Sequence, residues 1–323
     1  MGDSLERWIV PVMKVARRFS LGSAGTAEEL EIDSNDSVRA PSFPGDNPVF
    51  IYQHRFVIKF FAADSFCTQG NKSFHTEVKS FLYSKTLRLI FLIMQSFLYS
   101  RVFPRDDIGG TELPVPRFVA MSSLKELSET DVEEERLYIQ SLGSEDWWWP
   151  FLVTTRIEGQ PLKSIAGQLT PHNRIQMAHN LGKAVRALFD TPLPDDLPSD
   201  LSNLRKEYFP SFLDERMREC VRDHERWKTL PPRLIAEIQA YLPSPSAELL
   251  SERVEAEFGL IHADIHSEHA RISLYRDEGG DQQLKFEGLI DFGDAILGTK
   301  LYEMVQVHLS NFLCDKDMLR EFF

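Results

Sequence analysis

The chain has 323 residues, 42% of them hydrophobic, and a formal net charge of −13. That length exceeds what one hydrophobic core usually fills, so two lobes are expected. The charge repels phosphate backbones and anionic lipid headgroups, which argues against nucleic acid or a membrane as partner and suits a cationic one.

Three cysteines, Cys67, Cys220 and Cys314, have neither disulfide-framework nor zinc-ligand spacing, which points to a reducing, cytoplasmic compartment. Met1 to Ser20 lacks a continuous apolar segment and a small-residue cleavage site, so no secretion signal is read. Residues 1–40 are taken as a partly irregular N-terminal extension. Residues 21–48 are rich in Gly, Ser, Asp and Pro and favour loop as far as Pro44-Gly-Asp-Asn-Pro48. Val49–Tyr52 and Arg55–Phe61, β-branched and aromatic runs, predict a hairpin. Phe74, Val78, Phe81 and Leu82 fall at helical spacing and predict a helix over Ser73–Ser84. Leu87–Tyr99 is apolar but shorter than the ~20 residues of a membrane helix, and reads as a packing helix. The string Ser-Phe-Leu-Tyr-Ser occurs at 80–84 and 96–100, too few copies for a repeat architecture.

Leu113-Pro-Val-Pro116 ends that helix, Arg117–Met121 reads as a strand, and the acidic stretch Glu126–Glu135 reads as solvated. The apolar run Trp149–Thr155 predicts another strand, and Trp147 to Trp149 read as packing aromatics. Thr170 followed by Pro171 marks a helix start, which Ile175, Ala178, Leu181, Val185 and Leu188 continue as one apolar stripe. Residues 192–250 alternate Pro-rich turns with charged helical stretches. Phe258–His262, Arg271–Arg276 and Lys285–Asp291 read as short strands around a Gly279-Gly280 turn. The pattern divides the chain into a β-rich lobe over 41–153, a linker over 154–159 and a helical lobe over 160–323.

Lys59 stands inside Phe56-Val-Ile-Lys-Phe-Phe61, where burial of its ammonium would require a charge partner. Glu77 shares the apolar face of the next predicted helix and is a candidate for it. The cluster His262-Ala-Asp-Ile-His-Ser-Glu-His269 follows an apolar strand, a common place for catalytic groups. Alone it is ambiguous: His-x-Asp also opens the two-His-one-carboxylate iron site, for which His308 could be the distal ligand, and His-rich clusters bind zinc. His266 reads as loop scaffold, and His172, His179 and His308 as surface or packing residues. Gly288-Leu-Ile-Asp-Phe-Gly-Asp294 ends an apolar strand in a carboxylate and a turn permitted by glycine, so Asp291 can offer oxygens to a hard cation.

In this order, a Lys in an apolar strand, a Glu on the next helix, a His-x-Asp loop and an Ile-Asp-Phe-Gly-Asp turn resemble the aminoglycoside phosphotransferase family, related to choline kinases and protein kinases. Trp149-Pro-Phe-Leu-Val and Glu158-Gly-Gln-Pro-Leu162 add to the resemblance. It implies an α+β, bilobal protein kinase-like fold, with a small β-rich N-lobe and a larger, mainly helical C-lobe holding a nucleotide between them. It further implies Mg2+ as cofactor and ATP or GTP as co-substrate. Lys59 would grip the phosphates, fixed by Glu77; Asp264 would be the catalytic carboxylate, and Asp291 would hold the metal. Gly45 and Asn47, in the loop Ser42–Asn47, would cover the phosphates, and the backbone of Thr154, Thr155, Arg156 and Ile157 would bond the nucleobase. His269 stands where most of the family has a metal-ligating asparagine, although members that modify the 2''-hydroxyl of aminoglycosides resemble this chain there. The family usually continues with helices beyond the position of Phe323. The implied function is transfer of a γ-phosphoryl group to a hydroxyl of a small molecule, aminoglycoside-like or another amino alcohol, by a monomer or weak dimer. A nucleotide-binding pseudokinase is the alternative, motivated by His269 and the single glycine of the nucleotide loop.

Overall fold

The structure, a computed structural model, describes residues 2–21, 30–31, 49–61, 92–103, 113–128, 150–197, 201–228, 230–241 and 258–323. Gly45, Asn47, Glu77, the Ser73–Ser84 helix, Trp147 to Trp149 and Cys67 lie outside them. The chain divides into two compact units: Met1–Pro104 with Val115–Ile157, and Arg105–Pro114 with Glu158–Phe323.

In the first unit the predicted hairpin forms as β2 (Val49–Tyr52) and β3 (Phe56–Phe60). They lie in a five-stranded sheet of order β1-β2-β3-β5-β4, with β1 at Leu30–Glu31, β4 at Phe118–Ser123 and β5 at Pro150–Thr155. The β1 strand falls where loop was expected. Alternation along β3 sends Ile58 and Phe60 into a core with Phe50, Tyr52, Phe151 and Val153. Rings fill that core edge to face, Phe50 on Phe60 and Phe60 on Phe151, both with centroids 5.9 Å apart. The N-terminal residues also differ from expectation. Helix α1 (Gly2–Arg18) buries Val12, Met13, Val15 and Ala16 in this same core, so it is an integral wall of the unit. It packs on α2 (Leu124–Ser128), whose start is a capping box: the Ser123 hydroxyl accepts from the Glu126 amide while Glu126 accepts from the Ser123 amide. Glu126, expected to be merely solvated, therefore caps the start of a helix. Residues 92–97 are helical, as expected, and continue into a π-helical turn, Leu98–Val102, that is mostly buried.

The second unit opens with β6 (Gln160–Pro161) and α3 (Leu162–Ile165), followed by the long helix α4 (Pro171–Phe189). The Thr170 hydroxyl accepts from the Asn173 amide, so the predicted cap is made. Met177, Ala178, Leu181, Val185 and Leu188 form the buried stripe. Helices α5 (Tyr208–Trp227) and α6 (Pro232–Tyr241) follow. The three expected strands appear as β7 (Phe258–Ile261), β8 (Ala270–Arg276) and β9 (Gln282–Leu289). They do not share one sheet. β8 sits between β6 and β9, whereas β7 pairs with β10 (Ile296–Thr299), a strand not anticipated. The chain ends with α7 (Lys300–Gln306), a π-helical turn Val307–Asn311 and α8 (Lys316–Phe322), which packs on α4. No helix among the described residues is long and apolar enough to cross a membrane.

Replacing Thr170 with Ala is expected to destabilise the second unit by about 1 kcal/mol. Urea unfolding would show this as a lower midpoint at unchanged slope.

Candidate active site

The site begins where β7 runs out. Its last residues, Leu260 and Ile261, are buried, and the chain must then turn sharply to form the irregular loop His262–His269. A half-buried irregular loop cannot use a sheet ladder for its amides and carbonyls, so other elements supply partners. Ala263 adopts φ +64, a left-handed conformation that costs a non-glycine residue about 1–2 kcal/mol. Its amide donates to the Glu303 carboxylate at 3.0 Å, and Glu303 on α7 is completely buried. The Asn311 amide donates to the Ile265 carbonyl at 2.7 Å, the Ser310 hydroxyl accepts from the Ser267 amide, and the Lys163 amide donates to the Ser267 carbonyl. The loop is thereby fixed from three sides.

His262 is buried and neutral. Its Nε2 lies 2.9 Å from the Ile290 carbonyl, which can only accept, so Nε2 carries the proton; Nδ1 accepts from the Asp264 amide. Burial lowers its pKa to about 4. Both ring nitrogens are committed to backbone, so His262 cannot ligate a metal here and the iron-triad reading fails. Its role is to tie the loop to the residue before Asp291.

His269 is oriented with equal definition. Its Nδ1 lies 2.8 Å from the Asp264 carbonyl and must donate to it, which leaves a lone pair on Nε2. That Nε2 is 4.0 Å from Asp291 Oδ2, while Nδ1 is 3.7 Å from Asp264 Oδ2. One imidazole thus has the two predicted carboxylates on either side of it. Burial holds its pKa down, to about 3, so the ring is neutral. A lone pair facing a carboxylate at 4.0 Å is the donor arrangement of a cation site. Asp264, His266 and His269 also bring ligand atoms within 4.8 Å of one another. There, however, the His266 Nδ1 accepts from the Glu268 amide, so in the neutral ring the proton sits on Nε2, 3.7 Å from Asp264.

Asp291 itself has φ +64. The left-handed residue of this turn is therefore the aspartate and not Gly293, which sits in the 3-10 turn Phe292–Asp294. This corrects the expectation of a turn permitted by that glycine. Gly288 is the position that needs its missing side chain, since a Cβ there would lie 2.2 Å from the Pro114 carbonyl oxygen. The Asp264 carboxyl is pushed up to about 7, first by burial and then by the charges of Asp294, Asp291 and Glu303; Arg216 opposes them.

In the first unit, Lys59 pairs with Val49 and Leu152 across the sheet. Strand alternation turns it away from the core that holds Ile58 and Phe60, so it is half-buried with its ammonium 5.6 Å from the Phe61 ring centroid. Its apolar sequence neighbours do not enclose it, which corrects the expectation of full desolvation. The expected linker is corrected as well. Thr154 and Thr155 are strand residues of β5, and the amides of Thr155 and Arg156 are bonded to the carbonyls of Arg117 and Arg55. Those two donors are therefore committed to the sheet; Ile157 ends the unit. Sequence reasoning missed Glu303, Ser310 and Asn311, because polar residues in a helical segment ordinarily read as its solvent face.

A model of the phosphotransferase enzyme family matches residues 106–319, and the chain belongs to that family. Among solved structures, the GDP complex of wild-type aminoglycoside 2'-phosphotransferase-IIIa has the same fold, with a TM-score of 0.53 and 15% identity over 96% of this chain and 80% of that one. That fold is α+β and kinase-like, a small sheet-rich part with a larger helical one. Aminoglycoside-3'-phosphotransferase of type VIII gives a TM-score of 0.44 at 16% identity, over 96% of this chain and 90% of that one. Among curated proteins, lysine-specific demethylase JMJ21 of Arabidopsis thaliana is 23% identical over 196 residues. The match takes in 54% of this chain and 21% of that protein, so the chain spans about a fifth of the length of this relative.

Glu303 supports a test by pH. Burial raises its pKa to about 7, against backbone bonds from Ala263, His262 and Ile265 that lower it. A folded-state value above the unfolded one means that the folded protein holds the proton more tightly. Its contribution is therefore full below about pH 4.5 and lost as pH rises through 7. Thermal melts from pH 5 to 8 should show stability falling with pH in the parent and falling less in Glu303→Gln. Parallel slopes would mean that Glu303 titrates normally.

Proposed function

We propose that this chain is a nucleotide-dependent phosphotransferase that moves the γ-phosphoryl group of ATP or GTP onto a hydroxyl of a small molecule. The observation that carries the reading is the His269 ring with Asp264 on one side and Asp291 on the other, on a loop whose backbone bonds to buried groups fix its shape. GDP in the similar aminoglycoside phosphotransferase supports a nucleotide co-substrate.

In this reading Asp264 is the base. As the acceptor oxygen forms its bond to the γ-phosphorus, the bond from that phosphorus to the bridging β-phosphate oxygen breaks, the hydroxyl proton passes to Asp264, and the nucleoside diphosphate leaves with the bonding pair. A carboxylate with a pKa near 7 accepts that proton more readily than an ordinary aspartate. Asp291 and the His269 Nε2 fit a divalent cation, and they would hold it. Such an ion supplies positive charge to the phosphate oxygens. One nitrogen in the donor set makes the site less selective for Mg2+, which prefers oxygen. Lys59 contacts the phosphates, with Glu77, Gly45 and Asn47 completing the nucleotide site and Ile157 meeting the base. A cytoplasmic location fits the cysteine spacing.

Asp264→Asn is expected to lower kcat by at least 100-fold with nucleotide affinity retained, measured by transfer assay and calorimetry. Because the base must be ionised, kcat/KM should rise with pH towards a plateau above about 7. Asp294→Asn, removing the largest of the charges that raise the Asp264 pKa, should move that limb to lower pH. A pH profile indifferent to Asp294 would remove Asp264 from the role of base.

A further inference from the structure

We propose that the cation site of this chain selects Mn2+ over Mg2+, and that His269 is the residue that sets the preference. The proposal rests on the phosphotransferase reading and deepens it, by naming the ion that accompanies the nucleotide.

Of the two donors that face each other at the site, the imidazole is the fixed one. His269 Nδ1 donates to the Asp264 carbonyl at 2.8 Å, and the ring packs against His266 with centroids 3.8 Å apart and against His262 at 5.6 Å. Its side chain is 14% exposed, against 36% for Asp291. The ring therefore cannot turn its Nε2 away, whereas the more exposed carboxylate can move to meet an ion. A metal-ligating histidine almost always has its other N–H tied to a carbonyl, carboxylate or water, which sets the tautomer and makes the free nitrogen a better donor. Here that tie is in place, and among the described residues Nε2 makes no hydrogen bond. A lone pair 4.0 Å from Asp291 Oδ2 gains nothing from that carboxylate unless a cation or a proton donor lies between them. Ligand bonds of about 2 Å from each atom span the distance.

The neighbouring histidines cannot add a second nitrogen. Both ring nitrogens of His262 are committed to backbone, and His266 Nδ1 accepts from the Glu268 amide, which places the proton of the neutral ring on Nε2. The donor set is thus one imidazole nitrogen among oxygens, and that single nitrogen decides the ion. Mg2+ prefers oxygen and dehydrates reluctantly. Mn2+ shares its taste for carboxylate and water oxygens in a six-coordinate shell, yet as a first-row transition ion it also accepts imidazole. Zn2+ favours a tetrahedral shell richer in nitrogen or sulfur, which this loop does not supply.

The test titrates the full chain with MnCl2 and with MgCl2, alone and with a non-hydrolysable ATP analogue, reading binding by calorimetry and Mn2+ by EPR. The preference for Mn2+, taken as the ratio of the two dissociation constants, should be about 10-fold or more greater in the parent than in His269→Asn, because the amide offers an oxygen in place of the nitrogen. In protein labelled with 15N-histidine, pulsed EPR should show one 15N nucleus coupled directly to bound Mn2+, a signal that His269→Asn removes. The coupling is read on the parent, so it decides the matter even where His269→Asn does not fold. No bound Mn2+, bound Mn2+ without 15N coupling, a coupling that persists in His269→Asn, or equal preferences in parent and variant would overturn the proposal. Selective, 15N-coupled Mn2+ binding by a chain that binds no nucleotide analogue would uphold the role of His269 and refute the phosphotransferase reading. Phosphoryl transfer from ATP supported best by Mg2+, with no 15N coupling to Mn2+, would do the reverse.

Discussion

The constraint on which this structure depends is the cost of leaving backbone polar groups unpaired in a half-buried loop. Between β7 and β8 the chain follows no regular pattern, and each orphaned amide or carbonyl would cost about 1–3 kcal/mol if left alone. Several neighbouring elements contribute a polar group to it. Glu303 takes the amide of left-handed Ala263, Asn311 bonds Ile265, Ser310 bonds Ser267, and the Ile290 carbonyl takes His262. The Glu303 bond becomes charge-assisted, and so stronger, when its carboxylate is ionised, which offsets the strain at Ala263. The result is a loop in which Asp264 and His269 have little freedom, without help from local propensity.

That solution explains the polarity of the last helical segment. Its inward positions are Glu303, Val307 and Asn311, while Leu301, Val305 and Leu309 point outward. A helix packed on a hydrophobic core would show the reverse. Here the inner neighbour is a loop in need of hydrogen-bond partners, so polar residues face in. The π-helical turn at Val307–Asn311 accompanies the switch. Charge near the site follows the same local logic: burial and the carboxylates crowded around Asp264 raise its pKa.

Much of the fold was legible in the residues. The β2–β3 hairpin shows in paired β-branched and aromatic runs, the start of α4 in Thr170-Pro171, and β7 to β9 in apolar runs bounded by turns; each rests on contacts between sequence neighbours. The candidate site was legible through Asp264, His269 and Asp291, because a polar cluster directly after an apolar strand is a local signal. Less was visible where a position depends on remote partners. Leu30–Glu31 becomes a strand only because Tyr52 and Ile51 offer an edge, and Ile296–Thr299 only because β7 does. Thr154 and Thr155 belong to the sheet and not to a linker because Val57 and Phe56 lie opposite them.

What the sequence determined by itself was much of the order of elements and which side chains make up the candidate site, since periodicity, caps and turns act over a few residues. Only the tertiary structure decided which face Lys59 occupies, which His262 nitrogen is protonated, and that Glu303 anchors the loop at all. Those outcomes depend on which backbone groups are left without a partner once the strands have paired, and that is a property of the packed chain.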